Sequence, residues 1–144
     1  MLTTDLAAVA DWVSKRAEAD PRGVTAAIGW VSDGRMVAGA TYEDYTGGSI
    51  TATIAIENGA MVKQFLRAIF EYPFRQLNVG KIFAMVAQTN SPSRRLVEKM
   101  GFVQETVLKE YYSCEDLIVY SMTARQCRFL GEEDGQKDQD PRGT

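Results

Sequence analysis

Apolar residues in the first stretch of the chain recur with a helical period. Between residues 3 and 19, Leu6, Val9, Ala10 and Val13 lie three and four apart. Thr3 or Thr4 can cap such a helix, Asp5 suits its positive end, and Pro21 and Gly23 stop it. The period then shortens to two. Runs at 24–31, 36–46 and 49–57 are rich in Val, Ile, Thr and Tyr and are separated by Ser32-Asp33-Gly34-Arg35 and by Gly47-Gly48, which predicts an antiparallel meander. In the third run Ile50, Ala52, Ile54 and Ile56 share one face, while Thr51, Thr53 and Ala55 share the other.

Helical spacing returns with Met61, Val62, Phe65, Leu66, Ile69 and Phe70, one stripe of a helix that Pro73 ends or kinks. Residues 81–89 are apolar on both alternating faces, which predicts a strand buried on both sides. Because it follows a helix, it should run parallel to the strand before it. Next comes a short helix with Ser91 as N-cap, Pro92 at its first position, Leu96, Val97 and Met100 as its stripe, and Gly101-Phe102 as its terminator. Residues 102–112 and 116–123 alternate as a hairpin around Ser113-Cys114-Glu115. From Gly131 onward the sequence is polar, and a disordered acidic tail is expected.

This order predicts one α/β (α+β) domain over residues 1–130: a mixed, mostly antiparallel sheet of about six or seven strands flanked by about three helices. Its parallel pair consists of the strands on either side of the Met61 helix. A parallel pair that splays apart leaves a cleft at its C-terminal ends, facing a helix N-terminus, where an extended ligand with an anionic end can lie.

Composition narrows the chemistry. A chain of 144 residues with 45% hydrophobic residues can bury a core without disulfides or a structural metal. The absence of histidine excludes Ser-His-Asp and Cys-His nucleophiles and removes the commonest transition-metal ligand, so no metal is expected. Any acid or base is a carboxylate, Tyr, Lys, Cys or water. Cys114 and Cys127 fit no redox or zinc spacing and are expected as reduced thiols. The chain shows no basic leader and no long apolar run, so a cytoplasmic location without membrane partner is the expectation. The stretch after residue 130 holds five acids against two bases, so the 19 acids and 16 bases of the chain leave residues 1–130 with 14 of each. A neutral body and an acidic tail argue against a nucleic-acid partner.

The segment Asn90-Ser91-Pro92-Ser93-Arg94-Arg95-Leu96-Val97-Glu98-Lys99-Met100-Gly101-Phe102 resembles the Asn-x-x-Ser-x-x-apolar-x-Glu-Lys-apolar-Gly-Phe signature of the GNAT family of N-acetyltransferases, especially the branch that acetylates ribosomal-protein N-termini. The order of elements and the pattern around Asp116 and residues 120–122 extend the likeness over residues 1–125. The resemblance implies a GNAT-like sheet and acetyl transfer from acetyl-CoA to a primary amine, whether a protein N-terminus, a lysine or a small amine. It also implies a homodimer.

Carried over residue by residue, pantetheine would lie along Ile54, Ala55 and Ile56, with a backbone N–H near Ile56 polarising the thioester carbonyl. The pyrophosphate would rest on the N–H groups of Asn58, Gly59, Ala60, Met61 and Val62, with Lys63 adding charge. Asn90 would hydrogen-bond the pantetheine arm, or serve as a helix-entry turn residue. Ser93 would face the sulfur, with Tyr111 and Tyr112 near the cleft as phenol donors. Glu57 would be the general base, with Glu43 and Asp44 behind it, and one of Arg94 and Arg95 could reach the phosphates. Two departures stand out. The pyrophosphate loop begins with Glu57, where the family carries Arg or Gln, and Val97 occupies the place of a tyrosine acid. Together they keep open an alternative, a non-catalytic GNAT-fold binding or assembly protein with a degenerate coenzyme loop.

Overall fold

A computed structural model describes residues 1–131, so the expected tail beyond Gly131 lies outside the described residues. Strands β1 (Leu2–Thr3), β2 (Ala26–Ser32), β3 (Arg35–Glu43), β4 (Ser49–Ile56), β5 (Lys81–Ala87), β6 (Val103–Tyr112) and β7 (Glu115–Thr123) form one sheet in the order β1-β2-β3-β4-β5-β7-β6. Every neighbouring pair is antiparallel except β4 and β5. Helices α1 (Leu6–Ala17), α2 (Lys63–Glu71) and α3 (Ser91–Met100) flank it. This is the mixed sheet with a parallel pair that the periodicity predicts.

Helix α1 starts later than expected. Asp5, not Thr3 or Thr4, is the N-cap and accepts from the Ala8 N–H, because Leu2 and Thr3 are drawn into the sheet as an edge strand beside Trp30 and Gly29. It ends at Ala17, with Glu18 left-handed at φ 55°, before Pro21. Val9 and Val13 bury themselves on a floor made by β2, β3 and β4. That floor contains glycines for a steric reason: a Cβ on Gly39 would lie 2.7 Å from Val13 Cγ2.

The other face of the sheet carries the larger core. Phe65, Leu66, Ile69 and Phe70 of α2 are buried against Ile50, Ala52, Ile54 and their neighbours, each contributing about 1.5–3 kcal/mol relative to exposure. Met61 and Val62 belong to the stripe but precede the helix, which begins at Lys63. Pro73 neither ends nor simply kinks the chain. It falls in a π-helical turn over Tyr72–Gln76, and having no N–H it cannot itself donate the α-helical bond to the Ile69 carbonyl. The buried Tyr42 hydroxyl fills that place, donating to Ile69 O at 2.5 Å. Burial, with Tyr72 adding a smaller push, raises the Tyr42 pKa well above the usual phenol value.

Strand β5 corrects an expectation. Ile82, Ala84 and Val86 are buried against α2 and α3, but Lys81, Phe83 and Ala87 are only half-buried on the opposite face and Met85 is exposed. The reason is that α1 covers β2 to β4 and stops short of β5. The cap of α3 is also one residue earlier than predicted. Asn90 accepts from the Ser93 N–H, with Ser91 and Pro92 in the first turn, while Gly101 at φ 106° ends the helix. Strand β7 begins at Glu115, leaving Ser113-Cys114 as the hairpin turn.

Candidate active site

The opening in the sheet is set by how far β4 and β5 pair. Their ladder runs only through Ser49↔Lys81, Ile50↔Ile82 and Thr51↔Phe83. Beyond it the strands part, so residues 52–56 and 84–87 have no partner across the gap. Glu57 donates its N–H to Val37 O on β3 at 2.8 Å. Strand alternation therefore turns the Ala55 N–H toward β3 as well, and aims the N–H groups of Ile54 and Ile56 into the gap. These two unpaired donors occupy the edge where the resemblance places pantetheine.

Two cavities flank the gap and share Ile54 and Ser93 as walls. The first, about 600 Å³, is bounded by Ile54, Ala55, Ile56 and the loop Glu57, Asn58, Gly59 and Met61, and on its far side by Ser93, Arg95 and Lys99 of α3. Gly59 sits at φ 74° with nothing within 4 Å of where a Cβ would be, so a ligand can approach the backbone closely. The Ala60 and Val62 N–H groups are tied to Glu57 O and Ala60 O in tight turns, and neither residue, nor Lys63, forms part of the wall. The first-turn amides of α2 are without intrahelical partners, as at any helix start.

Glu57, expected as a general base, is held in an ion pair. It lies in this first cavity and takes both ends of the Arg35 guanidinium, at 2.6 and 2.7 Å, with Arg16 3.9 Å away. The antiparallel pairing of β3 and β4 brings Glu57 and Arg35 within reach, since the start of β3 lies beside the end of β4. Arg16, Arg95 and Lys99 all reach the same cavity, and Arg95 and Lys99 have no ionic partner among the described residues. The i, i+4 spacing of Arg95 and Lys99 on α3 was a readable signal for Lys99; Arg16 joins them only through the fold.

The second cavity, about 620 Å³, lies between the end of α1, the end of β3 and the β6–β7 hairpin, with Thr51, Ile54, Met85 and Ala87 in its floor. Tyr111 and Tyr112 both line it, their rings T-shaped at 5.0 Å. Tyr112 holds its proton above the usual phenol range, through burial first and then Tyr111 and Glu115. Glu43 and Asp44 are here too. Burial, helped by Asp44 and Asp20, raises the Glu43 pKa above the ordinary carboxylate value.

Asn90 stands at the rim, but both ends of its amide are used. Oδ1 caps α3 and Nδ2 donates to Ala17 O at 3.4 Å, tying α3 to the end of α1. The helix-entry alternative describes these contacts. The Ser93 hydroxyl is different: it faces the junction of the two cavities and has no partner among the described residues. Val97, at the tyrosine place, is buried in the core. Arg94 turns away, donating to Tyr120 Oη at 3.2 Å and to Gln88 O.

Residues 3–103 match the family model described as an acetyltransferase (GNAT) domain. No curated protein matches the chain in sequence. Among solved structures, the chain is similar to the ribosomal-protein-S5-alanine acetyltransferase of Vibrio fischeri, at 17% identity and TM-score 0.58, over 69% of this chain and 62% of that one. It is similar to the spermidine/spermine N-acetyltransferase SpeG of Vibrio cholerae at 18% identity and TM-score 0.62, over 85% and 93%. It is also similar to the ribosomal-protein-S18-alanine N-acetyltransferase of Escherichia coli at 20% and 0.57, over 94% and 97%. At these identities the likeness is one of fold, and the chain spans less than two thirds of the first of these relatives.

Proposed function

The chain belongs to the GNAT acetyltransferase family, and from that premise we propose that it moves the acetyl group of acetyl-CoA to a primary amine by direct attack on the thioester. The observation that carries this reading is the junction at Ile54 and Ser93, where unpaired backbone donors meet the shared walls of two cavities. A coenzyme entering by the first cavity and an amine entering by the second would meet there.

In this reading the pantetheine amides pair with the β4 edge at Ile54 and Ile56, and the Ile56 N–H stabilises the oxyanion that forms on attack. The phosphates rest on Asn58, Gly59, Met61 and the first turn of α2. Arg16, Arg95 and Lys99 supply the positive charge that the loop itself lacks, and Arg35 neutralises Glu57 so that it does not repel the phosphates. Glu43, through water, takes the proton that the amine loses. As the new C–N bond forms and the C–S bond breaks, the Ser93 hydroxyl hydrogen-bonds the departing sulfur. Tyr111 and Tyr112 shape the acceptor side.

Positioning of the two substrates supplies more of the rate than any single one of these groups. Membership of the ribosomal-protein branch rests on the α3 motif, and the acceptor is better read from the second cavity itself. The test is thermal unfolding with acetyl-CoA, followed by mass-spectrometric detection of an acetylated amine. At about 100 times its dissociation constant a ligand adds roughly 2.7 kcal/mol. No shift at millimolar coenzyme would leave the non-catalytic reading, which the carboxylate at the start of the loop favours.

A further inference from the structure

The acceptor-side cavity carries a charge pattern that acyl transfer alone does not require. Five carboxylates line it, Glu18, Asp20, Glu43, Asp44 and Glu115, against one guanidinium, Arg22. Arg22 is already bound to Asp20, with Nη2 2.6 Å from Oδ2. Glu115 accepts from the N–H and hydroxyl of Thr89. Glu18, Glu43 and Asp44 have no cationic partner among the described residues. The acids stand on three walls: the end of α1, the end of β3 and the start of β7. Like charges gathered around a cavity disfavour the empty fold, and a bound cation relieves that cost.

A second observation is independent of the acids. Thr51, in the cavity floor at the last rung of the β4–β5 ladder, is nine-tenths buried, and its hydroxyl has no partner among the described residues. It sits directly across from Glu43 in the β3–β4 register, so the two present a hydroxyl and a carboxylate side by side. On another wall, the exposed rings of Tyr111 and Tyr112 offer π faces to an ammonium group.

We propose that the acceptor is a small linear amine with at least two positive charges, its reacting nitrogen directed to Ile54 and Ser93 and its second ammonium group held by Glu18 and Asp44 with the tyrosine rings. This rests on the acetyltransferase reading and names its substrate class. A cavity of about 620 Å³ walled on three sides has the size that encloses a small molecule, and carboxylates on opposite walls surround a polycation instead of meeting one side of a folded partner.

Diaminobutane and butylamine, which share a four-carbon chain and differ by one ammonium group, test it. For the wild type at low salt, kcat/KM for diaminobutane should exceed that for butylamine by about tenfold or more, the scale of one charge-assisted hydrogen bond. The double variant Glu18→Gln, Asp44→Asn should bring that ratio close to one. Asp44 has φ 56°, which Asn tolerates, and an unchanged Tm rise with acetyl-CoA verifies folding. Equal turnover of the two amines by the wild type, or a preference that survives in the double variant, would overturn the proposal. If acetyl-CoA neither binds nor reacts, the acetyltransferase reading has failed separately. The cation site then stands if diaminobutane raises Tm where butylamine does not, and falls if both behave alike.

Discussion

Replacing both Arg95 and Lys99 of α3 by alanine should weaken acetyl-CoA binding about a hundredfold while leaving the phosphate-free fragment acetyl-pantetheine unaffected. Both side chains are exposed at the first cavity, and neither is committed to a carboxylate among the described residues. Two unit charges 4 Å apart attract by about 4 kcal/mol at an effective dielectric near 20 and by about 1 kcal/mol in bulk water. Exposed side chains that must also be ordered fall toward the lower end, so about 1–1.5 kcal/mol for each residue is reasonable, or roughly tenfold in Kd. Titration calorimetry in low and high salt reads this directly. The loss should shrink in about 1 M salt, where the screening length is about 3 Å. An equal loss of acetyl-pantetheine affinity, or no loss for acetyl-CoA, would refute the argument that α3 compensates for Glu57 at the loop.

Other outcomes follow from single contacts. Ser93→Ala should lower kcat by about ten- to a hundredfold with little change in coenzyme Kd, since it removes a donor to a developing thiolate; stopped assays with a good acceptor would show it. Glu43→Gln should lower kcat by about 10²-fold or more and abolish the acid limb of the pH–rate profile, whose midpoint in the wild type should lie above the ordinary glutamate value. The linkage has a definite sign. Because the folded-state pKa of Glu43 is raised, wild-type stability falls as pH rises from the ordinary glutamate value through the raised one, so Glu43→Gln should have the higher Tm at neutral pH and no advantage at pH 4. Tyr42→Phe should cost about 1–3 kcal/mol in urea unfolding, because the buried Ile69 carbonyl then loses the Tyr42 hydroxyl.

The order of elements was legible because each stretch announces its period. The stripe from Phe65 to Phe70, the alternation from Ile50 to Ile56 and the Gly101-Phe102 terminator are local signals of packing that the fold uses directly. Misreadings cluster where a distant partner decides. Thr3 could not announce a strand, because its pairing with Gly29 depends on the meander. Met85 could not announce its exposure, because that depends on where α1 stops. Asn90 and Ser91 are both good caps, and the Asn90 side chain that is used also bonds the distant Ala17 carbonyl.

The backbone geometry of the candidate site was legible. The splayed edge at Ile54 and Ile56, the Gly59 loop and Ser93 are neighbours in sequence of well-signalled elements. The electrostatics of the site were not. Glu57 reads as a free carboxylate until Arg35 is folded beside it, and Glu18, Glu43 and Glu115 reach the second cavity from three separate segments. Charges brought together by topology have no signature along the chain.

Amide hydrogen exchange resolved to single residues of β4, with and without acetyl-CoA, tests most directly whether the parted strands receive the thioester arm. Coenzyme should strongly slow exchange at Ile54 and Ile56, the two amides aimed into the gap, and leave Ala55, already bonded to β3, little changed. Slow exchange at Ile54 and Ile56 in the free protein, or protection by coenzyme confined to other segments, would contradict it.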